Sequence, residues 1–149
     1  MSTSANTGGA MKSKKKTIRI MSCGYKHGAP PVDAAFVLDC RSFKNPFYEP
    51  DLRPLTGASR PVQQFLENEE SVQLMLSALP AVLKALLPGH VAANSYHPQE
   101  VKLVFACTGG KHRSRFFALK AKAIVSALVE QNPQWNCRVI VSHRDRGRA

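Results

Sequence analysis

The sequence predicts an α/β domain, a small three-layer sandwich around a mostly parallel sheet of about four strands. Two observations carry this. Short β-branched or continuous apolar runs alternate along the chain with longer segments of helical spacing, the pattern of crossover-linked strands. A chain of 149 residues that is 44% apolar also suits one domain with a single core.

The elements follow in order. Residues 1–16 are Ser/Thr/Gly-rich, end in lysines and lack apolar periodicity, so a mobile basic tail is expected there and a domain over 17–149. Thr17–Cys23 reads as a strand, with β-branched Ile18 and Ile20. Glycines and paired prolines between Gly24 and Pro31 mark a loop. Ala34–Cys40 is a short apolar run, expected as a buried strand ending at Asp39. Arg41–Gly57 is a long, polar, proline-bearing connection, unusual in a compact domain unless it has a job. Ser59-Arg60-Pro61 predicts a helix start with Ser59 as N-cap. A second helix is expected over Val72–Leu87, kinked or broken at Pro80, then a loop over Pro88–Glu100. Val101–Ala106 reads as a strand, Ser114–Gln131 as a helix and Cys137–Val141 as the last strand.

The net charge is +11 and is unevenly spread: residues 1–26 carry +6, residues 27–100 carry −3 and residues 101–149 carry +8. A basic head and a basic last third favour a polyanion such as nucleic acid, a lysine- and arginine-rich solvated surface being the plain alternative. Lys14, Lys15 and Lys16 in the head, and Arg144, Arg146 and Arg148 at the end, are the candidates to contact nucleic acid. Tyr25 and Trp135 are candidates to stack on bases, though a lone tryptophan is more often core. No run approaches the roughly 18 apolar residues of a membrane span, so no membrane partner is expected. Cys23, Cys40, Cys107 and Cys137 form no CxxC pair. Neither a metal site nor a disulfide scaffold is therefore indicated, no cofactor is expected, and a cytoplasmic location is the default, with organelle import as the second choice.

One loop concentrates chemistry: Cys107-Thr108-Gly109-Gly110-Lys111-His112-Arg113-Ser114, between a strand and a helix. Two glycines permit a tight turn that gathers N–H groups, and the helix start adds unpaired donors. Lys111 and Arg113 add full charges, and an arginine grips a phosphate with two hydrogen bonds. The alternative is a plain glycine turn bearing exposed cations. The spacing Cys107-x5-Arg113-Ser114 also resembles the signature loop of cysteine-dependent phosphatases. There the thiolate attacks phosphorus and the arginine clamps its oxygens. Cys107 and Arg113 are the catalytic candidates of that reading; against it stands Cys107 as a small buried residue at a strand end.

Several motifs together resemble the RapZ C-terminal domain family of bacterial RNase adapter proteins. They are Gly24-Tyr25-Lys26-His27-Gly28, Leu38-Asp39-Cys40-Arg41, Asn45 to Gly57, Cys107 to Ser114, and Ser142-His143-Arg144-Asp145. The resemblance implies a fold similar to a phosphofructokinase subdomain. It implies binding of an amino-sugar phosphate such as glucosamine-6-phosphate, and binding of RNA that is presented to a ribonuclease. It carries the sugar-phosphate site onto Thr108, Gly109, Gly110, His112 and Arg113, with Asp39 and Arg41 beside them. Asp39 would accept from a sugar hydroxyl or amine, or else pair with Arg41. The family's usual N-terminal P-loop ATPase domain has no counterpart in these residues, and a histidine of some members is Phe47 here. The identity of the sugar, the RNA target, the ribonucleoprotein partner and any homo-oligomer stay open at this level.

Overall fold

The computed structural model describes residues 15–93, 95–96 and 99–148. Lys12 and Lys14 of the head lie outside the described residues, and so does most of the expected tail. Four strands form one sheet: β1 (Lys16–Gly24), β2 (Phe36–Asp39), β3 (Glu100–Cys107) and β4 (Cys137–His143). Their order is β2-β3-β1-β4 and all three pairings are parallel. Three α-helices are present among the described residues: α1 (Arg60–Glu67), α2 (Glu70–Val91) and α3 (Arg113–Gln131).

The layers are unequal. Ile18 and Ile20 of β1 and Val101, Leu103 and Phe105 of β3 share one core with Val62 and Leu66 of α1, Leu79, Leu83 and Leu87 of α2, and Phe117, Ala121 and Val125 of α3. Strand side chains alternate, so all three helices cover the same sheet face. Topology explains it: β2→β3 and β3→β4 both step the same way across the sheet, and right-handed crossovers then put their helices on one side. The other face holds a small cluster of Cys23, Val104 and Ala106, which Tyr25 and Ala34 of the β1–β2 loop cover. The third layer is thus a loop.

Local departures from expectation have physical causes. The run at Ala34–Cys40 is not a buried strand; β2 is the short edge strand, alternately half-buried and exposed. Helix α2 does not break at Pro80, and continues through Pro88 to Val91. Both prolines are exposed, so the carbonyls left without an N–H partner face water. This helix has the length and mean hydropathy (1.5) of a span, while one of its stripes is used by the core. Ser59 occupies the N-cap of α1 without capping it; its Oγ accepts from Thr56 N–H instead.

The carboxyl ends of β1 and β3 meet with almost no room between them. A Cβ added at Gly24 would lie 2.4 Å from the Gly109 carbonyl carbon, and one at Gly110 would lie 2.7 Å from Gly24 N. Gly110 also sits at φ 76°, where a side chain is strained. Gly24→Ala should therefore destabilise the domain by about 2–3 kcal/mol, because backbone rather than a flexible side chain must yield. Urea denaturation measures this, and a loss below half a kcal/mol would show that the two backbones can part.

Candidate functional site

A cavity of about 460 Å³ opens at the carboxyl ends of β1 and β3. Its floor is the loop after β3, with Cys107, Thr108, Gly109, Lys111, His112 and Arg113 as lining residues. The opposite wall is the long connection after β2, through Asn45, Phe47, Tyr48 and Arg53. Lys26 and Arg148 close the sides. A larger space of about 530 Å³ lies at the other end of the sheet, between Lys15, Val91 and Trp135. Ligands of open parallel sheets bind at the carboxyl ends, and the cavity there gathers the loop residues, which makes it the candidate site.

The long connection is stitched to the phosphate-type loop by hydrogen bonds from the loop's cations. Lys111 Nζ donates to the Arg53 carbonyl (2.8 Å), and Arg113 Nη1 to the carbonyls of Arg41 (2.9 Å) and Phe43 (2.8 Å). His112 Nε2 lies 3.1 Å from the Leu52 carbonyl, which can only accept, so Nε2 carries the proton. Burial lowers the His112 pKa and keeps the ring neutral near pH 7. Gly57 completes the seam: its N–H donates to the Lys111 carbonyl, and a Cβ there would lie 2.3 Å from the His112 oxygen. Arg53 folds over the Phe47 ring at 4.6 Å, and its Nε donates to the Phe47 carbonyl. Phe47 and Tyr48 stay open, 48% and 75% exposed, with their rings edge to face.

The electrostatics are one-sided. Lys26, Arg53, Lys111, Arg113 and Arg148 line the cavity, and no carboxylate does. Three of these cations are oriented by neutral carbonyls, which fix their position without cancelling their charge. Arg113 is 4% exposed, and its buried Nε has no hydrogen-bond partner. A buried donor left unpaired is costly.

The expected site residues separate into groups. Thr108, Gly109, Lys111, His112 and Arg113 line the cavity. Gly110 and Ser114 lie beneath it: Gly110 packs on Gly24, and Ser114 is fully buried against Cys107. The Cys107 thiol donates to Ser114 Oγ (3.2 Å) and accepts from the N–H groups of Gly110 (3.3 Å) and Ser114 (3.5 Å). Asp39 and Arg41 are outside the lining. They pair with each other through Nε–Oδ1 (2.9 Å) and Nη2–Oδ2 (2.7 Å). The Arg41 hydrogen bonds lower the Asp39 pKa, and the Arg41 guanidinium lies 3.7 Å over the Tyr25 ring, covering the face that would stack on a base. Trp135 packs against the core.

Two expected RNA contacts are turned inward. Lys16 belongs to β1 and is 7% exposed; its ammonium donates to the carbonyls of His90 and Ala92 and to Ser95 Oγ. Arg144 donates to the carbonyls of Gly24, Gly28 and Ala29, and so clamps the β1–β2 loop. Lys15, Arg146 and Arg148 remain exposed.

Sequence reasoning named Asp145 only as the end of a motif and gave it no role. Its carboxylate is buried, accepts from Gly24 N–H at 2.7 Å, and pairs with Arg144 and Arg148. Burial pushes its pKa up, but the bonds from Arg144, Gly24 and Arg148 outweigh that and hold it below the ordinary value. A lone acid in an arginine-rich segment was the available signal. The cavity wall at Asn45, Phe47, Tyr48 and Arg53 was signalled by the length of its loop and by the Asn45 to Gly57 motif, not by any residue chemistry that named them as lining.

A search against family models matches residues 16–147 to the RapZ C-terminal domain. The chain belongs to that family. Curated relatives agree with this. A protein of Thermobifida fusca is 35% identical over 94% of this chain and 44% of its own length. One of Alkalilimnicola ehrlichii is 44% identical over 68% of this chain and 34% of its own. One of Paraburkholderia phymatum is 42% identical over 83% of this chain and 38% of its own. All three bear the name nucleotide-binding protein. The chain spans less than half the length of these relatives. The matched residues include the floor and the opposite wall of the cavity.

Stability should depend on pH in two windows. His143 has its pKa pushed down to about 4 by burial and by Arg115 and Arg146, so the unfolded state takes up its proton first. Stability is therefore lost as pH falls from about 6.5, the ordinary histidine value, toward 4. The contribution of Asp145 is complete above the ordinary carboxylate value and is lost below it, as pH falls through its lowered pKa. Asp145→Asn should cost about 2 kcal/mol at pH 7 and flatten the second window only. Denaturation curves from pH 7 to 3 check both parts; an unchanged low-pH limb in Asp145→Asn would remove the carboxylate from this role.

Proposed function

We propose that this domain binds a phosphorylated small molecule of the sugar-phosphate class in the cavity and carries RNA on its remaining basic surface. One observation carries the first part: a cavity with five cations, an unpaired buried arginine Nε and no lining carboxylate. Its volume suits a small metabolite, since such sites span roughly 300–1,000 Å³. The phosphate sits against Gly109, Lys111 and Arg113, where backbone donors and cations converge. Thr108 and Asn45 face the hydroxyl-bearing part, and the open Phe47 and Tyr48 rings offer flat apolar surface to its ring.

Glucosamine-6-phosphate is the first ligand to test, from the family membership. With no carboxylate lining the cavity, an ammonium group gains little there, so the phosphate dominates affinity. Glucosamine-6-phosphate should raise the melting temperature, because a ligand that binds only the native state stabilises it by mass action. Glucose-6-phosphate should bind within about tenfold of it, a difference of about 1.4 kcal/mol, and unphosphorylated glucosamine not at all. Lys111→Ala should weaken binding about tenfold or more. A parental response in that variant would place the ligand elsewhere. A nucleoside monophosphate belongs in the same series, given the relatives' name and the exposed rings.

The RNA part rests on Lys15, Arg146 and Arg148 and on the excess charge. Affinity for single-stranded RNA should fall with salt, with a log–log slope of about −0.7 per phosphate neutralised. A flat response would remove the RNA reading. A ribonuclease partner follows from family membership alone and is tested by co-purification with one.

The cysteine-phosphatase reading keeps one supporting observation, the convergence of two N–H groups and Ser114 Oγ on Cys107 Sγ. No lining carboxylate stands ready to protonate a leaving group. Aryl-phosphate turnover that vanishes in Cys107→Ser would establish this activity, and no turnover between pH 5 and 7.5 would dispose of it.

A further inference from the structure

The first turn of α3 carries two arginines on opposite flanks, because two residues on a helix turn through about 200°. Arg113 reaches toward the end of β2 and is held by carbonyls. Arg115 lies on the opposite flank of α3, a helix that also packs on β4; beyond the end of that strand the Arg146 N–H donates to the His143 carbonyl at 3.2 Å, and the charges of Arg115 and Arg146 both act on His143. It is only 8% exposed, its Nε is buried without a hydrogen-bond partner, and no salt bridge reaches it among the described residues. Burial, and then the Arg146 cation, disfavour its charge.

Such an arrangement is costly. A guanidinium removed from water needs acceptors or a counter-ion, and a neighbouring cation makes the need greater. Elsewhere the domain meets that need from within: Arg144 and Arg148 have Asp145, and Arg41 has Asp39. Asp145 is turned to Gly24 N–H and its own two arginines. His143 completes the group. Its Nδ1 is 2.6 Å from Ser22 Oγ, which fixes the ring and leaves Nε2 as its other hydrogen-bonding atom. Burial and the two arginines keep the ring neutral.

We propose that Arg115, Arg146 and His143 form a second anion site, on the β4 flank of α3, which takes a single phosphate group. The buried Arg115 fork supplies directional donors, the exposed Arg146 supplies a mobile charge that closes over the ion, and His143 lies against it. This site is independent of the cavity on the other flank and stands whether or not that cavity binds sugar phosphates.

The test is an NMR titration of the full chain with inorganic phosphate, ionic strength being held constant with chloride. The Arg115 Nε–H and the His143 ring report this site, and the Gly109 amide reports the cavity. Saturable shifts at Arg115 and His143 are expected, with a rise in the His143 pKa as the bound charge offsets the arginines. In Arg115→Met the His143 response should vanish while the Gly109 response stays. The same variant should melt no lower than the parent in phosphate-free buffer, since it loses a buried unpaired charge. Should Arg115→Met fail to fold, Arg115→Lys should keep the fold and bind phosphate about tenfold more weakly, having lost the fork. A silent His143 in the parent, or an unchanged His143 response in either variant, overturns the second site. A silent Gly109 with a responding His143 overturns the cavity reading and leaves this one intact.

Discussion

The site depends on how tightly the end of β1 is held. Gly24 has backbone of the β3–α3 loop against one side and donates its N–H to the buried Asp145 carboxylate after β4. Three separate segments of chain therefore meet at one residue without a side chain. The carboxylate is tolerated in that position because a backbone N–H and two arginines answer its charge. Arg144 extends the hold to the carbonyls of Gly28 and Ala29. With these strand ends pinned, the phosphate-type loop has a fixed base on which to present its donors.

The order of strands and helices was legible because it rests on apolar periodicity, which the chain follows closely. The parallel sheet followed from the alternation of the elements. The loop from Cys107 to Ser114 was legible because glycines and cations after a strand have few other uses. What could not be read was which cations point inward. Lys16 and Arg144 sit in basic segments and look like surface charges, yet both are held by main-chain carbonyls from remote parts of the chain. A carbonyl leaves no mark in a sequence. Asp39 and Arg41 could be read either as a site or as a pair, and they do pair, because two residues at one strand end reach each other at little cost in chain closure.

The net charge of +11 has at least three fates. Some cations, such as Lys16 and Arg144, are structural. Others, Lys111 and Arg113 among them, hold the wall of the cavity to its floor through carbonyls and keep their charge for what enters it. The rest, including Lys15 and Arg146, face solvent. Arg148 belongs to two groups at once, lining the cavity while bonded to Asp145. Any ligand that draws Arg148 toward itself acts on the carboxylate that holds the strand ends.

The strand order also governs how the chain can assemble during synthesis. β1 emerges first, yet it is an interior strand whose neighbours are β3 and β4, so Ile18 must wait for Val101 on one side and Val139 on the other. Until the ribosome has delivered nearly the whole domain, its earliest strand has both hydrogen-bonding edges open and no core to enter. Parallel pairing of this kind is slow and leaves the nascent chain open to wrong partners. The stretch before β1 is rich in lysine. Like charges beside an open strand keep copies of it apart, which gives those residues a part to play before the domain is folded.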